Sequence, residues 1–176
     1  MIRKEPKVEP ATPVLAPKDT FRILIMDSVE HTELLSEACK NAGHSVIAAH
    51  SVQEAFAFLD GKDHADVVVC AAYMQDESVF DFLHRLRTQH DHDDSMFMIL
   101  ALAPGPVGVK LNASVEIAGR QLGSDAFIVM PVFDAEVLIA EIKKLLPLLP
   151  KLERHRLEDL EAESWDKSLP DVHTQE

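Results

Sequence analysis

Between residues 21 and 146 the apolar positions alternate between two patterns. Short, nearly unbroken apolar runs occur at 21–26, 44–49, 66–71, 97–102 and 126–130. Runs of this length suit strands buried on both faces. Between them, apolar residues return every three or four positions, the spacing of a helix with one buried face. Helices are predicted over about 28–42, 51–60, 78–89, 112–122 and 135–146. Phe82, Leu83 and Leu86 share one face of the third, and Val137, Leu138, Ile142 and Leu145 face inward on the fifth. Ser51 with Glu54 forms a capping box, Ser78 and Asp134 stand at helix starts, and Gly43, Gly61 and Gly123 follow helix ends. Pro131 stops the fifth strand. Pro104, Gly105, Pro106 and Gly108 read as a connecting loop before the fourth helix.

Five strands alternating with five helices predict an α/β domain. The expected architecture is a single doubly wound, five-stranded parallel sheet of flavodoxin-like order 2-1-3-4-5. Helices cover both faces and the crossovers are right-handed. In that order a site lies at the carboxyl ends of the first and third strands, where Asp27, Ser28 and Ala71 fall.

The 176 residues suffice for one domain of about 100–150 residues with tails. Four prolines in residues 1–20 predict a disordered, Pro-rich tail. Residues 21–149 hold the domain. Residues 150–176 carry eight acids against four bases, a net charge of −4, and read as an acidic helical or disordered tail with Leu152, Leu157 and Leu160 as a thin stripe. The whole-chain charge of −13 argues against nucleic acid or an anionic membrane as partner. No apolar run approaches the ~20 residues of a membrane span, and no signal peptide is read at the start, so a cytoplasmic protein is expected. Cys39 and Cys70 lie in apolar segments and read as buried thiols. The cluster His90-Asp91-His92-Asp93-Asp94 reads as a solvated loop rather than a metal site. Gly105-Pro106-Val107-Gly108-Val109-Lys110 lacks the spacing of a phosphate loop.

Several segments together resemble the receiver domain of response regulators in two-component signalling. Ile23-Leu24-Ile25-Met26-Asp27-Ser28 is similar to the first strand and the acidic pair that ends it. Ala65-Asp66-Val67-Val68-Val69-Cys70-Ala71 is similar to the strand that ends in the phosphoacceptor aspartate. Tyr73-Met74 and the helix 80–87 match the next loop and helix. Gly123-Ser124-Asp125-Ala126-Phe127-Ile128-Val129-Met130-Pro131 resembles the fifth-strand motif, in which a lysine precedes the proline.

The resemblance implies a phosphorylation site built from two acids, an acceptor aspartate, a hydroxyl and a lysine. Only the first acid, Asp27, is kept; the other positions hold Ser28, Ala71, Ala101 and Met130. A methyl group is no nucleophile, and a thioether cannot clamp a phosphoryl oxygen as a cation does. The resemblance therefore implies a degenerate pseudo-receiver: not an enzyme, with no catalytic residue, metal or cofactor. It would signal by binding a histidine kinase, another regulator or itself, homodimers included. Its surface would be helix 4, strands 4 and 5, and helix 5. Phe127 falls at the switch aromatic, expected inward beside Ala101, and Pro131 is a candidate for a cis peptide bond. Two alternatives stay open: phosphorylation at a displaced acceptor such as Asp76, expected to point away from Asp27, and a small-molecule sensor using a crevice lined by Ala71, Ala101 and Met130.

Overall fold

Each apolar run becomes a strand and each periodic stretch a helix. The computed structural model describes residues 20–61, 64–89 and 94–145. The elements run β1 (Arg22–Met26), α1 (Val29–Asn41), β2 (Ser45–Ala49), α2 (Val52–Leu59), β3 (Val67–Ala71), α3 (Val79–Thr88), β4 (Met96–Leu102), α4 (Pro106–Gln121), β5 (Ala126–Met130) and α5 (Ala135–Lys144). The sheet is parallel throughout, in the order β2-β1-β3-β4-β5. Fold class, strand order and element number agree with the sequence pattern, and every strand bound agrees to within one residue. Both tails, the stripe at Leu152, Leu157 and Leu160, and His90 to Asp93 lie outside the described residues.

Side chains alternate across a strand, so each apolar run supplies both sheet faces. Leu24, Met26, Val68, Cys70, Phe97, Ile99 and Ala101 pack with residues of α2, α3 and α4. Within that layer Phe82 meets Phe56 at 5.3 Å and Phe97 at 5.6 Å, both edge to face. Ile23, Ile25, Val67, Val69, Met98, Leu100 and Leu102 pack with residues of α1 and α5 on the other face. All seven residues of β4 are buried. The expected contribution of the fourth strand to a docking surface therefore fails: β4 lies inside the sheet, and of the two strands β5 alone is at an edge.

Polar side chains fix the helix starts. Ser51 Oγ accepts the Glu54 N–H at 3.1 Å, while the Glu54 carboxylate accepts the His50 N–H at 2.8 Å. Ser78 Oγ accepts from Phe80 and Asp81, and Asp134 Oδ1 from Glu136 and Val137. At the opposite end of the strands, Asp66 Oδ2 accepts the Arg22 N–H and Asp125 Oδ2 the Phe97 N–H, each at 2.8 Å. Among the described residues no helix is long and apolar enough to cross a membrane.

Two expectations are corrected here. The stretch read as a loop before residue 112 is the beginning of α4, with Gly105 at the N-cap and Pro106 in the first turn. Proline fits there because the first helical N–H groups have no intrahelical acceptor to lose. Gly108 is not a breaker; it is buried on the helix's inner face. The peptide bond before Pro131 is trans, since the described residues contain no cis bond. Trans is the favoured isomer by about 0.5–1 kcal/mol. The β4–β5 pairing runs on past the strand ends, the Ala103 N–H donating to the Met130 carbonyl at 2.8 Å.

One buried polar group makes stability pH-dependent. His44 Nδ1 accepts the Phe21 N–H at 3.2 Å, and the ring is buried. Burial, and then the Lys143 charge, lower the His44 pKa below its ordinary 6.5. The unfolded chain then binds a proton more readily than the folded one. The stabilisation is present above about pH 6.5 and is lost as pH falls through that value toward the lower folded pKa. Urea midpoints should fall between pH 7.5 and 5.5 in the wild type and fall less in His44→Gln. Equal pH slopes in the two proteins would contradict this.

Candidate functional site

The carboxyl ends of β1, β3 and β4 meet at one end of the sheet because the register pairs Met26 with Cys70 and Ala71 with Leu100. A cleft of about 770 Å³ opens there. Its lining includes Asp27, Ser28, His31, Ala71, Tyr73, Leu102, Val107 and Leu111. Three of the residues singled out in the sequence, Asp27, Ser28 and Ala71, thus share one cleft.

Their polar groups are engaged close by. The Asp27 side chain is only 8% exposed. Its Oδ1 accepts the Ser28 N–H at 2.6 Å and faces His31 Nδ1 at 3.2 Å, one helical turn on. Ser28 caps α1, its hydroxyl accepting the His31 N–H at 3.3 Å. Ala71 ends β3 with a buried methyl group.

Ala101 and Met130 are not brought to the cleft. Both are buried, on opposite faces of the sheet. The small-molecule reading expected both to line the crevice, and neither does. Side-chain alternation explains Ala101, which faces the α4 layer, as does the half-buried Phe127. Met130 turns toward α5, its Sδ accepting the Asp134 N–H at 3.3 Å.

Asp76 is exposed in the loop after β3. With Asp27, Ser28, His50 and Glu77 it lines a second cleft of about 690 Å³. In the same loop Glu77 reaches across to α2, where its carboxylate accepts the Val52 N–H at 3.0 Å.

Other residues of the site were not singled out in the sequence. His31 stands four positions after Asp27, so helical spacing could have paired them. Tyr73 and Asn112 are far apart in the chain and carry no local signal. Ala103, with φ of 44°, is the one non-glycine residue with positive φ among those described. That conformation costs about 1–2 kcal/mol. It turns the chain out of β4 so that Ala103, Pro104 and Gly105 wall the cleft.

Among the described residues no group of three or more His, Cys, Asp or Glu side chains could hold a metal ion. The cleft offers one carboxylate, already hydrogen-bonded, beside a capping hydroxyl and a methyl group. A hard divalent cation takes several oxygen ligands, so these residues do not fit one.

A parallel sheet of this order, with a cleft at the carboxyl ends of β1 and β3, is the flavodoxin-like fold of response-regulator receivers. Over 124 residues the chain is 31% identical to the transcriptional regulatory protein CpxR of Klebsiella pneumoniae, covering 70% of this chain and 48% of that protein. The chain thus spans about half the length of the curated relative it matches. Among solved structures it resembles the chemotaxis response regulator CheY4 of Vibrio cholerae, with a TM-score of 0.60 and 22% identity over 72% of this chain and 98% of that one. It also resembles a response regulator from Thermotoga maritima, with a TM-score of 0.60 and 24% identity over 73% and 98%. No family model matches the chain. The structural likenesses show the fold, and the sequence similarity adds support for a response-regulator receiver domain of two-component signalling.

Both thiols are buried, and one adjoins the site. Cys70, next to Ala71, is fully buried, and burial, then Asp27 and Glu77, push its pKa well up. Burial pushes Cys39 up to about 12. Since the thiolate is the reactive form, native protein at pH 8 should give no rapid reaction with Ellman's reagent. Protein in 8 M urea should release two equivalents, one for each free cysteine. Prompt labelling of the native protein would contradict the burial of both.

Proposed function

We propose that this receiver-type domain works in two-component signalling by binding protein partners, without accepting a phosphoryl group and without acting as an enzyme. The observation that carries the reading is Ala71: a buried methyl group at the end of β3, on the cleft beside Asp27, where the family's chemistry needs a nucleophilic carboxylate. Two further features support it. Ser28 is engaged as a helix cap, and the Met130 sulfur faces the start of α5. Partners would be a histidine kinase, another regulator or a second copy of the chain.

The surface best suited to docking surrounds the β5 edge. Ile117 on α4, Val129 on β5, Val132 in the following loop and Val137 on α5 are large apolar residues left exposed. Such residues near one another favour protein contact. Charged neighbours, including the Arg120–Glu116 pair on α4, give that surface a polar rim.

A second reading, a small-molecule sensor, draws on the volume of the first cleft and its apolar walls Leu102, Val107 and Leu111. Native mass spectrometry of the purified chain would reveal a retained ligand as added mass. The main test is intact mass after incubation with Mg²⁺ and acetyl phosphate. No phosphoryl adduct is expected. A stoichiometric, base-labile adduct would overturn the reading, and its loss in Asp76→Asn would assign the acceptor to the second cleft.

A further inference from the structure

Tyr73 leaves β3 and crosses to α4. Its hydroxyl donates to the Gly108 carbonyl at 2.7 Å and lies 2.5 Å from the Asn112 side-chain oxygen. One hydroxyl proton serves one acceptor; with the Asn112 amide turned over, its NH₂ would donate to the phenol, and both contacts would be satisfied. The ring rests on a position that only glycine permits. A Cβ on Gly108 would stand 2.9 Å from Tyr73 Cε2 and 3.1 Å from Pro104 Cβ. The tyrosine and the glycine therefore fit as a pair, ring against bare backbone in the first turn of α4.

The same loop is anchored on its other side. The Ala72 N–H donates to the Leu100 carbonyl at 2.9 Å, and Glu77 receives the Val52 N–H at the start of α2. Residues 72–78 thus bridge two helices that approach the site from different strands. Tyr73 also lines both clefts, with Asp27, Ser28 and Gln75.

The geometry points to Tyr73 as a latch that positions α4: it pins the first two turns of the helix to a loop itself fixed on α2, and so holds the α4 docking face in one place. What the latch does for partner binding rests on the docking reading above; the existence of the latch does not. The exposed side chains it steadies directly are Val107, Val109 and Leu111, which stand on the same two turns.

Hydrogen–deuterium exchange on the full chain tests the latch, comparing wild type with Tyr73→Phe, which keeps the ring and removes the hydroxyl. A part-buried hydrogen bond of this kind is worth up to about tenfold in a local opening equilibrium. Exchange at residues 109–113 should rise severalfold to about tenfold, with β1, β3 and α5 unchanged. Gly108→Ala should do the same by displacing the ring. Glu77→Ala touches only α2 directly, yet it should also raise exchange in α4, and only while Tyr73 keeps its hydroxyl. Unchanged α4 exchange in Tyr73→Phe, or a uniform rise across the sheet, would overturn the latch. An effect of Glu77→Ala confined to α2 would overturn the loop's part in it. A phosphoryl adduct would defeat the docking reading and leave these exchange results untouched.

Discussion

The burial of β3 on both faces sets the rest of the domain. Its five residues, Val67–Ala71, lie between β1 and β4, and all are buried. Burying a valine side chain fully is worth about 1.5–3 kcal/mol. Each strand N–H and C=O removed from water must find a partner in the ladder. Both demands are met in one parallel register, with Met26 beside Cys70 and Ala71 beside Leu100. That register places residue 71 at the cleft next to residue 27, whatever side chains the two positions carry.

What the cleft can do then depends on its groups and on how they are occupied. Asp27 is held by the Ser28 backbone and faced by His31, and Ser28 caps α1. Met130 sits under α5 with its sulfur on the Asp134 N–H. Each polar or polarisable group at these positions has a partner within the fold. The loop after β3 shows the same tendency on a larger scale, since Tyr73 and Glu77 fasten it to α4 and α2. The surroundings of the cleft are braced from several sides.

Much of the architecture was legible in the residues. Unbroken apolar runs such as 66–71 read as doubly buried strands because burial on both faces removes any need for alternation. Ser78 and Asp134 marked helix starts because their side chains satisfy N–H groups that a helix leaves open. The start of α4 was missed because Pro106 and Gly108 read locally as breakers. Proline in a first turn and a glycine under a tyrosine ring are both compatible with helix, but only the packing reveals the second. The cis candidate at Pro131 came from resemblance rather than from any feature of the residues, and the bond is trans.

The sequence by itself determined the α/β class, the strand order and the side chains carried at positions 28, 71, 101 and 130. Hydrophobic period and side-chain type are local properties of a chain, and so they can be read along it. Only the tertiary structure decided which of those positions meet. Asp27, Ser28 and Ala71 share a cleft, while Ala101 and Met130 are buried on opposite faces of the sheet. It also placed Asp76 and Asp27 in the lining of one second cleft and set Tyr73 against Gly108 and Asn112. These meetings follow from loop paths and side-chain direction, which depend on contacts between distant segments and leave no periodic trace in the chain.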